Sequence, residues 1–534
     1  MKKITLLLIG LIALIGLIGL IGCSSDEGGA TKADSSGNDS AEPVEGGKMN
    51  VAISADPNTL DWMYTGESAA RKIGWHIFEG LFALNQDYEA KPLLADSYEV
   101  SEDGKTYTID LREGLTFHNG EEVTSKDAVA SLERWLKVSS IGEITNQHVE
   151  SLEVVDELQF KIHLNKAYTS LLSDLSAPKH AAVIIPASIA EEAGEQPLSR
   201  DELIGTGPFE FDSWKRGNEV VIKKFENYAS REGEMSGLTG GKKAYFDSVH
   251  FKVVKDPQVI LNGMKTGLYD YGSDIPLDLY EVVEAAPDLV AETSNNGYTI
   301  LTTDKSEAPF DDNKVRQALN AALNKEEIAK ATYGNEDFYG LDGALFTPNQ
   351  TALYSDQNIE GFSGYDPEKA KELLEESSYD GKPIKIMFAN SYSDYKKIAE
   401  IAEQQLEEVG FNVNLESFEW ATYLDKWGKA SNWDIVVIGW SPFFSPNQAG
   451  MVSQDSNSSG WYNSPEWQQL ISDWATAGTE EEKDQILAEL NATLYEERPF
   501  EKVANVSNLD VRSTSVKSYN SWYGPRSWNT WKAE

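Results

Sequence analysis

Cysteine is almost absent: Cys23 is the only one in 534 residues. With no partner in the chain, an intrachain disulfide is excluded. Histidine is scarce too, limited to His76, His118, His148, His163, His180 and His250. None pair at i, i+4, and none lies beyond position 250. The C-terminal half therefore offers no imidazole or thiol for acid–base catalysis, nucleophilic catalysis or a His-rich metal site. No G-x-S-x-G, G-x-x-x-x-G-K-S/T or H-E-x-x-H pattern occurs, and no cofactor is implied. Positive charge is also in deficit, with 46 Lys+Arg against 87 Asp+Glu and a formal net charge of −41. Such a surface repels nucleic acid and anionic lipid head groups, and serves solubility or salt tolerance. After residue 21 no apolar run is long enough to span a bilayer, and no internal repeat is visible.

What is present begins at the N-terminus. Lys2 and Lys3 precede 4–21, which is almost purely Leu, Ile, Gly and Ala. This is the basic n-region and apolar h-region of a secretory signal. A plain transmembrane anchor is the alternative, since the run is just long enough to cross a membrane. Leu20-Ile21-Gly22-Cys23 decides between them, because it resembles a bacterial lipobox, whose cysteine is lipidated and becomes the first residue. Two or more acyl chains on Cys23 would anchor stably where one chain is marginal. The expectation is a signal peptide at 1–22 and a chain held on the outer face of the bacterial cell membrane. Losing the signal takes Lys2 and Lys3 with it, so −41 becomes −43. Segment 23–46 is Ser, Gly, Asp, Glu and Ala with little to bury, which predicts a flexible tether.

Beyond it, 40% hydrophobic residues with 14 Trp and 23 Tyr suffice for a folded core. Roughly 490 residues are too many for one ordinary core, so at least two lobes are expected. Segment 48–54 reads as a first strand ending in the turn-rich 55–62. A helix is expected from Ser68 to Leu81. Strand 107–111, a turn at 118–122 and a helix capped by Ser125 with Val129, Leu132 and Leu136 on one face come next. With strands at 151–156 and 159–164 they make 75–197 a mixed α+β unit. Segments 205–214 and 219–225 form a hairpin around Gly217-Asn218. Later, 384–390, 394–410 and 411–418 read as a βαβ unit, with Ile398, Ile401, Ala402, Leu406 and Val409 on the helix's apolar face. Segment 433–440 is a buried strand, followed by helices at about 465–476 and 480–497 and strands through 500–511. The fold class is α/β, with the last segment returning to the first lobe.

Aromatic residues in loops stand out. Trp467 and Trp474 fit a helix's core face. Trp440, Phe443, Phe444, Trp461 and Tyr462 sit beside Gly, Pro and Ser at or beyond a strand's carboxyl end, where open α/β sheets bind ligands. Carboxylate pairs are abundant but expected by chance among 87 acids.

Segment 92–135, PLLADSYEVSEDGKTYTIDLREGLTFHNGEEVTSKDAVASLERW, resembles the signature of family 5 extracellular solute-binding proteins, the peptide/nickel class of ABC-importer receptors. Segments 205–211 (GTGPFEF), 309–328, 365–376 and 418–427 match the family's pattern as well, and the likeness runs from about 48 to 534. It implies a type II periplasmic-binding-protein-like fold of two lobes closing on ligand. The first lobe would be 47–298, with an extra α+β subdomain at 75–197, completed by 504–534. The second would be 299–503, with hinge strands at 297–303 and 501–507.

The resemblance implies a receptor that captures oligopeptides or a related small solute outside the cell and delivers it to a permease and ATPase. It implies no enzyme, no resident metal and a monomer. Trp440, Ser441, Phe443 and Phe444 would form one wall, faced by Thr59, Asp61 and Trp62, with Trp461, Tyr462 and Arg526 nearby. Two departures bear on cargo. Peptide-binding members carry an aspartate three residues after the equivalent of Trp440, for the α-ammonium, and here that residue is Phe443. Dipeptide binders place an arginine after the strand equivalent to 384–389, whereas 390–397 offers only Lys396 and Lys397. Either the cargo lacks a free amine or another acid, with Asp61 the candidate, takes over. A glycan or metal-chelate receptor is the alternative, and a surface hydrolase is the reading from a different class.

Overall fold

Two strands are long enough to serve both halves of the molecule, and they organise the sheet. Leu289–Thr303 and Phe500–Ser513, 15 and 14 residues, run antiparallel. At one end Phe500–Ser513 continues into Tyr271–Ile275, Lys48–Ile53, Ser248–Val253, Glu219–Lys224 and Phe209–Lys215. At the other, Leu289–Thr303 pairs with Ile435–Trp440, followed by Ile384–Ala389 and Val413–Phe418. This computed structural model describes residues 42–429, 432–449, 460, 462, 464–520 and 522–533; Cys23, Trp461 and segment 4–21 lie outside them.

The pairing of the two long strands breaks register between Asn295 and Tyr298, opposite Ser507 and Asn505. Gly297 fills the break with φ +88°, and a Cβ there would stand 1.9 Å from the Trp440 carbonyl oxygen. Only glycine fits such a position without moving backbone.

Two parallel groups result. Lys48–Ile53 is parallel to Ser248–Val253 and to Tyr271–Ile275. Ile384–Ala389 is parallel to Val413–Phe418 and to Ile435–Trp440. The helix joining the first pair in the second group, Ser393–Val409, buries Ile398, Ala402, Leu406 and Val409 and stops at Gly410, whose φ of +108° is a left-handed cap. Ile401, expected on that face, is only half-buried.

A separate antiparallel sheet joins Ala95–Val100, Thr106–Leu111, Gln159–Leu164 and Val149–Val154. Its two middle strands alternate buried and half-buried residues, the period of a sheet covered on one face. The cover includes helix Ser125–Val138. Thr124 caps that helix, not Ser125 as the sequence predicts, because the Asp127 carboxylate three residues on accepts from both the Thr124 amide and its hydroxyl. Helix Ser68–Ile77 likewise ends four residues short of the expected Leu81, where Phe78 turns extended.

One core holds Val51, Trp75, Phe78, Trp135 and Phe160; another holds Ile300, Leu319, Ile386, Leu406 and Val437. The second also takes in Ile260, Leu261 and Met264 of helix Pro257–Lys265. The C-terminal segment returns to the first core, with Trp528 buried in it, the Trp75 indole donating to the Pro525 carbonyl at 3.0 Å and the Ser527 amide to His76 Nε2 at 3.0 Å.

Candidate ligand site

In open α/β sheets, ligands bind just outside the carboxyl ends of the parallel strands. In one parallel group, Ile384–Ala389 leads to Tyr392, Val413–Phe418 to Trp420, and Ile435–Trp440 ends on Trp440 itself. Tyr392 is exposed and the two tryptophans half-buried. Tyr392 stacks on Tyr395 at 4.8 Å and meets Trp420 edge-on at 5.2 Å. Trp440 meets Trp427 edge-on at 6.2 Å, and its buried indole N–H has no hydrogen-bond partner among the described residues.

In the other parallel group, Asp274 occupies the end of Tyr271–Ile275 with φ +58°. It accepts from Ser54 at 2.9 Å, just past Ile53, and pairs with Lys72 at 2.7 Å. Burial pushes the Asp274 carboxyl up, but the Lys72 charge and the hydroxyls of Ser54 and Ser273 outweigh it and hold the group low. The Tyr392 phenol is pushed up by burial, then by the negative charges of Asp394 and Asp274.

The segment after Trp440 spans both halves. Phe443 turns into the second core, edge-on to Phe346 at 4.9 Å and Tyr298 at 6.3 Å, while its carbonyl accepts from Gln350 at 2.7 Å. The next residue, Phe444, turns into the first core, stacked on Tyr88 at 6.0 Å and edge-on to Tyr523 at 5.9 Å. Gln448 and Ser445 donate to the Asp174 carboxylate at 2.9 and 3.4 Å, and Asn447 to the Tyr168 hydroxyl at 2.6 Å. Asp174 belongs to helix Leu171–Ser176, which packs in the first core, and is fully buried.

Burial pushes Asp174 up to about 6, with hydrogen bonds from Tyr168, Gln448, Thr145 and Ser445 pulling it back. A folded carboxyl held above its ordinary value contributes most when protonated, so its contribution falls as pH rises from about 4 through about 6. Asp174→Asn should flatten the loss of stability over that window, read as the unfolding midpoint against pH. An unchanged slope would contradict this.

Several residues expected to form the site are corrected. Asp61 is fully buried, pairs with Arg134 at 2.5 Å and accepts the Leu198 amide at 3.0 Å. It is committed to the fold and cannot take over as an ammonium acceptor. Trp62 is core, its indole donating to the Pro178 carbonyl at 3.1 Å. Thr59 is half-buried, and its hydroxyl accepts the Asp61 amide at 3.1 Å. Phe443 is 7% exposed and packs inward, so it lines no wall. Phe444 is buried across the interface between the cores. Tyr462 is buried against Glu497 and Trp467. Arg526 is buried, its guanidinium donating to the carbonyls of Gly237 and Asn520, and burial pulls it down to about 10. Trp440 and Ser441 are half-buried at the strand end, and Trp461 lies outside the described residues. Sequence reasoning misses Tyr392, Trp420, Lys72 and Asp274. The signal was available for the first two, since each stands two or three residues past a strand that the βαβ pattern makes parallel.

The pattern of bacterial extracellular solute-binding proteins, family 5 Middle, matches residues 89–462. The chain belongs to this family. A probable peptide ABC transporter periplasmic-binding protein of Sinorhizobium fredii is 30% identical over 441 residues, 79% of this chain and 82% of that one. The glutathione-binding protein GsiB of Shigella flexneri is 27% identical over 402 residues, 73% of this chain and 74% of the other. Among solved structures, the oligopeptide-binding protein AppA of Bacillus subtilis in complex with a nonapeptide has a TM-score of 0.76 at 20% identity, covering 92% of this chain and all of that one. The fold is the type II periplasmic peptide-binding fold. This family 5 member is a substrate-binding receptor of an ABC importer, periplasmic or extracellular, and not an enzyme, which sets the surface hydrolase aside. No helix among the described residues is long and apolar enough to cross a membrane.

Proposed function

We propose that this receptor is anchored by lipid on Cys23, captures a peptide or a related small solute by lobe closure, and hands it as a monomer to a permease and ATPase. Closure here is ligand stabilising one of two arrangements around shared strands. The first lobe is taken as 47–298 with its subdomain at 75–197, completed by 504–534, and the second as 299–503. The observation that carries the reading is the crossing of segment 443–448, where adjacent phenylalanines enter different cores at the carboxyl edges of two parallel groups. The peptide and glutathione relatives support peptide-like cargo. The aromatic faces of Tyr392, Trp420 and Trp440 favour a second reading, a glycan or metal chelate held by stacking.

Intact and native mass spectrometry of the membrane-extracted protein tests both parts. The intact mass should begin at Cys23 and include acyl chains, and the native spectrum should hold a solute released unchanged on unfolding. A chain that starts elsewhere without lipid sinks the anchor. A protein that neither retains nor rebinds any small solute sinks the receptor.

A further inference from the structure

Two cations of the first lobe meet no acid among the described residues. Arg71, on helix Ser68–Ile77, is 7% exposed. Its side-chain partners are neutral: Nη1 donates to the Tyr523 hydroxyl at 3.2 Å, Nη2 to the Ser68 hydroxyl at 3.4 Å, and the guanidinium lies 4.1 Å over the Tyr523 ring. Its buried Nε has no hydrogen-bond partner among the described residues. Lys179 is half-buried and forms no ion pair with a described residue, and burial and then the Arg71 charge hold its ammonium low. The acids close by in sequence are engaged: Glu67 takes the Asn58 amide at 3.0 Å, and Asp61 takes Arg134.

Hydrogen bonds tie the backbone on either side of Lys179. The carbonyl of Pro178 accepts the Trp62 indole, and that of His180 accepts the Trp135 indole at 2.8 Å and the Ser139 hydroxyl at 3.0 Å. A Cβ at Gly66 would fall 2.7 Å from both Lys179 Cε and His180 Nε2, so the loop packs tightly against Lys179 and His180. His180 is neutral at physiological pH, held down to about 4 by burial and the Lys179 charge. Tyr523, under Arg71, touches Phe444, which places Arg71 beside the segment that joins the two cores.

A buried cation without a counter-charge is costly. Neither cation meets a carboxylate among the described residues, so an anionic group from outside the chain would balance both charges. We propose that Arg71 and Lys179 bind a carboxylate of the cargo, the C-terminal carboxylate where the cargo is a peptide. The guanidinium supplies directional donors and the lysine a mobile point charge. The assignment rests on the receptor reading.

The test uses a randomised tripeptide library made as free acids and as C-terminal amides, titrated against the mature protein. The wild type should prefer acids by more than about tenfold. Lys179→Gln should reduce that preference to about threefold or less while amide binding persists, and Lys179→Arg should restore it. Arg71→Gln should do the same, and Lys179, being less buried, keeps the test open should that variant fail to fold. No preference in the wild type, including no binding of either library, overturns the subsite, as does a preference that survives Lys179→Gln. A solute seen in the native spectrum alongside absent acid preference would leave the receptor standing and remove only the subsite.

Discussion

Asp61→Ala should destabilise the protein by about 3–5 kcal/mol, the typical result of removing one partner of a buried ion pair. Asp61 and Arg134 have side chains 0% and 2% exposed. Without the carboxylate, Arg134 keeps the Gln196 carbonyl at 2.7 Å and the Met63 sulfur at 3.2 Å, both neutral. The Leu198 amide also loses its acceptor. Denaturant unfolding followed by circular dichroism would read the loss. If Asp61→Ala costs under about 1 kcal/mol and instead weakens cargo binding, the carboxylate belongs to the ligand site.

The second large effect is at Phe443. Truncating a buried phenylalanine costs about 3–5 kcal/mol through lost burial and the cavity left behind. Phe443→Ala should lose that much, because Tyr298 and Phe346 both close edge-on against this ring. Phe443→Leu, closer in volume, should cost under about 1.5 kcal/mol. Binding of the tripeptide library should change little in the leucine variant. A stable Phe443→Ala variant with abolished binding would restore this residue to the wall.

Many strands and helices were legible because burial imposes a period of 2 or 3.6 on apolar residues. Ser393–Val409 between Ile384–Ala389 and Val413–Phe418 is such a case. The type II fold was legible through the motifs at 92–135, which carry family identity. The site was less legible, for a physical reason. An aromatic or an acid beside a strand end looks the same in sequence whether it faces the crevice or a core. Asp61 reads as free in sequence because its partner, Arg134, is 73 residues away. Adjacent Phe443 and Phe444 point into different cores, which no local pattern encodes. Arg71 and Lys179 were invisible as a pair because an absent partner can be recognised only once the neighbours are placed.

Closure on cargo is the central claim, and small-angle X-ray scattering of the mature protein, before and after saturation with the solute recovered from it, tests it most directly. Rotation about the shared strands Leu289–Thr303 and Phe500–Ser513 requires a smaller radius of gyration in the loaded protein. An unchanged radius at saturation would contradict closure and put the cargo on one lobe alone.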